Sequence, residues 1–198
     1  MGKAIAAIAV KGGSQVQVLA PDAKNSAAAA SLAGASATYG LVGDPITGDI
    51  VVLAVPYPAV SDVLDRDADQ LKGKTIVDIT NPLDFATFDS LLVPSDSSAA
   101  QEIAARVPGA TVLKAFNTTF AATLDSGQVG GLPTTVLIVG DDQDAKASLA
   151  AVLEAGGIAA IDAGALKRAR ELEAVGFLQL TLAAGDKIGW GGGFAVNK

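Results

Sequence analysis

The chain has 198 residues (19.6 kDa), half of them hydrophobic and only 18% charged, with 14 basic against 21 acidic side chains and neither cysteine nor histidine. Those two absences remove disulfide frameworks, thiolate nucleophiles, zinc fingers and every Ser-His-Asp or Cys-His arrangement. A net charge of -7 and a pI near 4.4 speak against a nucleic-acid partner, which needs a concentrated basic face.

In chain order, residues 2–10 read as an alanine-rich helix, 15–20 as a strand, 22–32 as a helix, 50–55 as a strand and 58–71 as a helix. Then come a strand at 75–79, a helix at 97–106, strands at 111–115 and 134–139, a helix at 142–153, a strand at 158–161 and a helix at 166–184. The strand segments are short apolar runs rich in β-branched residues, the pattern of strands covered on both faces. Their alternation with helices predicts a doubly wound α/β fold on a parallel sheet. Ser97-Ser98 ahead of Gln101 and Glu102 forms a capping-box pattern, while Pro108-Gly109 and Gly156-Gly157 stop helices. No repeat, low-complexity tract or linker divides the chain. Residues 1–165 are expected to form the main domain, with 166–198 adding a helix and glycine-rich tail to the same compact unit. The mean hydropathy of +0.42 comes largely from alanine, and no run of about 18 apolar residues offers a membrane span. Lys3 followed by Ala4 to Val10 only faintly imitates a secretory leader, because Lys11-Gly12-Gly13 follows without a small-residue cleavage site. The expected setting is cytoplasmic.

In open parallel sheets ligands bind beyond the carboxyl ends of the strands, and three such ends are unusual here. Val55-Pro56-Tyr57-Pro58 leaves its strand abruptly, because Pro56 cannot continue a ladder; a strand stop followed by a helix start is the alternative reading. Thr80-Asn81-Pro82 offers a carboxamide that both donates and accepts. Ala115-Phe116-Asn117-Thr118-Thr119-Phe120 adds an amide and hydroxyls between aromatic rings. Together they point to one crevice.

These segments resemble the NADP-dependent oxidoreductases of the coenzyme F-420 (F420) type, Rossmann-like proteins related to the N-terminal domain of pyrroline-5-carboxylate reductase and the cytosolic domain of membrane ferric reductases. The resemblance rests on GDIVVLAVPYPA (48–59), GKTIVDITNPLDF (73–85), SSAAQEIAARVPGATVLKAFNTTFA (97–121), a GDD turn (140–142), IDAG (161–164) and KRARELEAVGF (167–177). It implies hydride transfer between NADP, or NAD, and a deazaflavin (coenzyme F-420), a flavin or another small acceptor; the alternative is a dinucleotide-binding protein without turnover. By resemblance Gly2 is the third glycine of the phosphate loop. Ala54, Val55, Pro56 and Tyr57 lie along the dinucleotide, Asn81 and Pro82 near the nicotinamide ribose, and Ala115 and Phe116 at the ring-stacking site. Asn117 and Thr118 orient the second substrate, and a homodimer is implied. Ring-to-ring hydride transfer depends mostly on positioning, so the missing histidine is no objection.

Two departures from the family pattern carry expectations of their own. Met1-Gly2-Lys3 matches the end of the family's phosphate loop, so the first strand and the earlier glycines are expected upstream of residue 1, and about ten further residues are expected to tighten NADPH binding. The rival reading takes residues 3–10 as the first strand and Lys11-Gly12-Gly13-Ser14 as a degenerate loop. Where NADP-preferring members place Ser-Arg, this chain has Ala20-Pro21, which leaves Lys24 as the nearest cation; Asp22 either accepts from a ribose hydroxyl or caps the next helix. Lys114, Lys167 and Arg168 are the cations available to an acidic acceptor tail if they converge. Asp62, Asp65, Asp67 and Asp69 lack the glycine and terminal glutamate of a calcium loop, so no metal is expected. Arg170 and Glu173 read as an anchor of the last helix to the sheet, Asp141-Asp142 as capping, and residues 178–182 as apolar surface for a dimer.

Overall fold

The computed structural model describes residues 1–197. Helix α1 (Gly2–Lys11) comes first, followed by β1 (Val16–Ala20), α2 (Ala23–Ala33), β2 (Ala37–Leu41), β3 (Ile50–Leu53), α3 (Tyr57–Leu71) and β4 (Thr75–Asp78). The chain continues through α4 (Ala99–Arg106), β5 (Thr111–Lys114), α5 (Ala121–Ser126), the hairpin β6 (Gln128–Val129) and β7 (Leu132–Pro133), β8 (Thr135–Gly140), α6 (Gln143–Ala155) and β9 (Ala159–Asp162). A 3-10 turn, Leu166–Arg168, leads into α7 (Ala169–Ala184). The segment read alternatively as a first strand is therefore helical: alanine favours the helix, and its end is closed by the Gly12 N–H donating to the Ile8 carbonyl and the Gly13 N–H donating to the Val10 carbonyl.

The main sheet has five strands in the order β3-β4-β5-β8-β9, and β1 pairs with β2 in a separate parallel ribbon. Among the described residues no ladder joins β1 to β3. Strands β3, β4 and β5 run parallel, with Val51 beside Ile76 and Ile76 beside Val112. One expectation is corrected here, because β8 lies antiparallel to β5 and the sheet is mixed. A parallel return needs a crossover of a dozen or more residues. Helix α5 has six residues, ends on left-handed Gly127 and turns at once into the β6–β7 hairpin, so the chain re-enters from the carboxyl end of β5.

Period-two alternation divides the core between the two faces. Val77, Leu113 and Ile138 pack with Ile5 and Ile8 of α1 and Leu149 of α6. Their chain neighbours Ile76, Val112 and Val139 pack with Leu64 of α3, Ile103 of α4 and Leu172 of α7. Both faces of the central strands are thus covered, as the unbroken apolar runs require, and α7 lies on the α4 side at the carboxyl ends of β4 and β5.

Candidate functional site

Of the three strand ends singled out in the sequence, those of β4 and β5 are joined to each other by side-chain hydrogen bonds. At β4, Asp78 closes the strand by accepting from the Thr80 backbone N–H at 2.8 Å. The next carboxamide, Asn81, reaches across to the end of β5, where its Nδ2 donates to the Asn117 carbonyl at 3.1 Å. Asn117 returns the bond, donating from Nδ2 to Asn81 Oδ1 at 3.1 Å and to the Leu172 carbonyl of α7 at 2.8 Å. Its Oδ1 is buried without a partner, and so is the hydroxyl of Thr80. Between β5 and Asn117 the backbone turns at Phe116, a buried non-glycine residue with φ of 65°. That left-handed geometry costs of order 1–3 kcal/mol and is held by the Thr119 hydroxyl, which donates to the Phe116 carbonyl at 2.7 Å.

Helix α7 closes over this carboxamide pair at Gly176. A Cβ at that position would overlap Asn81 Oδ1 and stand 2.8 Å from the Asn117 carbonyl oxygen and 2.9 Å from Asn117 Nδ2. One turn earlier, Glu173 accepts from the Ala99 N–H at the start of α4 at 3.0 Å and pairs with Lys114 at 2.8 Å. The Lys114 ammonium also donates to Asp78 and to the Thr80 carbonyl, each at 2.7 Å, so its three N–H groups meet three acceptors. Lys114, Asp78 and Glu173 are all shielded from solvent. Burial pushes the Glu173 carboxyl above its ordinary range, with Lys114 and the Ala99 N–H pulling the other way.

This triad corrects the reading of Lys114 as a cation for an acceptor's tail: it is consumed inside the fold, whereas Lys167 and Arg168 are exposed and Arg168 pairs with Glu171. Glu173 does anchor α7, while Arg170 stays at the surface. Asp142 caps α6 and Asp141 accepts from the Leu166 N–H at 2.9 Å. Three of the four α3 aspartates are engaged in ion pairs of their own: Asp65 with Arg106, Asp67 with Arg66 and Asp69 with Lys72.

The other strand end lies open. Ala54 and Pro56, beyond β3, are exposed, and a Cβ on Gly2 would stand 2.9 Å from Ala54 Cβ, so the start of α1 meets the end of β3 with no side chain between them. Tyr57 turns away toward α4, where its hydroxyl donates to Glu102 Oε2 at 2.6 Å; burial and that carboxylate push the phenol well above its ordinary range. Asp22 is the N-cap of α2, accepting from the Asn25 N–H at 2.8 Å, and Lys24 is exposed in the first turn. Thr118, Pro82 and Ala115 are buried in the turns beneath the mouth. Sequence reasoning missed the contribution of Gly176, although a glycine inside a helix is itself a signal of close packing.

Residues 1–82 match the family described as NADP oxidoreductase, coenzyme F420-dependent. The match takes in the first helix and the strand ends at Ala54–Tyr57 and Asn81. The chain is 31% identical over 132 residues to an F420-dependent NADP reductase of Methanocaldococcus jannaschii, an alignment covering 65% of this chain and 59% of that protein. It is 38% identical over 108 residues to rat metalloreductase STEAP3, covering 54% of this chain and 21% of the relative. The chain thus spans about a fifth to three fifths of these relatives' lengths. A crystal structure of a provisionally assigned F420-dependent NADP reductase from Arthrobacter sp. FB24 superposes with a TM-score of 0.84 at 25% identity, covering 99% of this chain and 94% of the other. Among the described residues no helix is long and apolar enough to cross a membrane.

Proposed function

We propose that this chain is an NAD(P)H-dependent oxidoreductase that moves hydride between a nicotinamide dinucleotide and a deazaflavin, a flavin or another small acceptor. The observation that carries the reading is the bare meeting of Gly2 with Ala54, a cradle that a single Cβ would fill, at the amino end of a helix whose first N–H groups have no partner within the helix. The dinucleotide, when bound, supplies the hydride; the chain supplies position and dryness. Gly2, Ala54, Val55 and Pro56 form the wall along it, Lys24 provides a cation for a 2′-phosphate, and Tyr57 fixes the α3 end of that wall through Glu102. Asn81 and Pro82 shape the ribose end, and Ala115 and Phe116 form the floor beneath the rings. Asn117, through the carboxamide oxygen that no group in the fold satisfies, and Thr118 orient the acceptor. A cytoplasmic homodimer is part of the proposal, supported by the exposed Val175 and Leu178 on α7.

Oxidation of NADPH and NADH against coenzyme F420, FMN and ferric acceptors tests the activity; dinucleotide binding without turnover on any acceptor would leave a binding protein instead. Gly2→Val is expected to weaken NADPH binding at least tenfold in calorimetry while leaving the melting temperature within a few degrees; unchanged affinity would remove Gly2 from the site. Lys24→Ala is expected to lower the preference for NADPH over NADH about fivefold, the worth of one exposed ion pair. An unaltered ratio assigns the 2′-phosphate to other groups.

A further inference from the structure

The C-terminal tail ends up at the mouth just described, and the ways it is fixed there are specific. Trp190 packs on Phe120, ring centroids 5.2 Å apart and planes tilted by 53°. Phe120 follows directly on the Phe116–Thr119 turn at the carboxyl end of β5, three residues after Asn117 and two after Thr118, so the tail is fixed to the same loop that carries the residues assigned to the acceptor. Two further contacts hold the tail. The buried side chain of Gln179 on α7 accepts from the Phe194 N–H at 3.1 Å. Gly193 has a φ of 135° and lies so close to that amide that a Cβ would come within 2.9 Å of its oxygen.

Glu173, Gly176 and Gln179 follow at three-residue spacing, so one face of α7 binds in turn the buried ion triad, the carboxamide pair and the tail. Ordering a segment with glycines at 189, 191, 192 and 193 is costly in conformational entropy. The ordered product is a tryptophan that is still 54% exposed. Burial of the ring is therefore not what the arrangement achieves; its effect is to hold a flat π face at a fixed place on the loop that follows β5. Stacking of planar heteroaromatic rings on such a face is favourable and tolerant of substituents.

We propose that Trp190 is the platform on which the planar ring of the hydride acceptor stacks, positioned by Phe120 and by the Gln179 clasp on the tail. This inference rests on the oxidoreductase reading above. It selects acceptors with a fused, flat ring system over hydrated metal ions, which have no π face to offer.

The chain's single tryptophan makes the test direct. Coenzyme F420 and FMN are titrated separately into the intact protein without nicotinamide. Indole fluorescence is followed, and calorimetry gives affinities for the wild type, Trp190→Ala, Trp190→Phe and Gln179→Leu, with NADP+ as the control ligand. The expected result is saturable quenching of Trp190 by at least one of the two acceptors. Affinity for that acceptor should fall about tenfold in Trp190→Ala, be largely restored in Trp190→Phe, and fall in Gln179→Leu together with lower indole anisotropy. NADP+ affinity should stay within twofold throughout. An acceptor that binds wild type and Trp190→Ala equally well overturns the platform and leaves the oxidoreductase reading standing. An emission change that follows protein concentration and sedimenting dimer, rather than ligand, also overturns it by making Trp190 a contact between copies. If neither acceptor binds the wild type in calorimetry while NADP+ does, the flat-ring acceptor class falls and the platform with it.

Discussion

Lys114→Met should cost the fold about 3–5 kcal/mol at neutral pH, measured as a fall in the urea midpoint at constant m-value. The ammonium meets Asp78, Glu173 and the Thr80 carbonyl in a volume closed to water. Methionine fills similar space but leaves two carboxylates facing one another without a cation, which is the costly way to open a buried ion cluster. Glu173→Gln in the Lys114→Met background should recover 1 kcal/mol or more on the order of a buried charge removed, because the amide oxygen can still accept from the Ala99 N–H. A Lys114→Met protein within about 1 kcal/mol of wild type would show that the triad is not a structural centre.

The same cluster sets the sign of a pH effect. Burial holds the folded Glu173 carboxyl above its ordinary value, so between the unfolded and folded values the native chain binds more protons than the unfolded one. That contribution therefore makes stability rise as pH falls from above the folded value toward the unfolded one. In Lys114→Met the opposing pull of the ammonium is gone and the folded value rises further. The deficit of the variant should be greatest at neutral pH and shrink on acidification, as protonation of Glu173 removes the uncompensated charge; a deficit that widens on acidification contradicts this account.

The central strands were legible because each is a short β-branched run whose alternate residues serve opposite core layers, as Ile76 and Val77 or Val112 and Leu113 do. Strand β2 was not, since its Ala-Thr-Tyr-Gly-Leu sequence leaves Thr38, Tyr39 and Leu41 exposed and shows no apolar run. Helix α5 and the β6–β7 hairpin were missed because segments of six and two residues carry no readable period, and with them went the antiparallel entry of β8. At the site, the convergence of Asn81 with Asn117 could be anticipated from strand ends alone. The burial of Lys114 could not, because nothing beside it in the chain announces that Glu173 on the last helix will be its partner.

Gly176→Ala puts the closeness of α7 to the carboxamide pair to the test, and it runs against the usual direction of a glycine replacement in a helix. Helix propensity alone would make alanine stabilising by about 1 kcal/mol. The added Cβ, however, would overlap Asn81 Oδ1 and press on the Asn117 carbonyl oxygen at 2.8 Å, and a backbone oxygen in a turn already held left-handed at Phe116 cannot rotate aside. The net result should be destabilisation of about 1–3 kcal/mol, larger for Gly176→Val. Asn81→Ala in the Gly176→Ala background relieves only the side-chain overlap, so it should not restore stability. Because α7 also carries the Gln179 clasp, its displacement should weaken acceptor binding more than dinucleotide binding, a split read by calorimetry on the two ligands. If Gly176→Ala were instead as stable as wild type or more so, helix propensity would have won, and α7 could ride away from Asn81 and Asn117 at no cost to the fold.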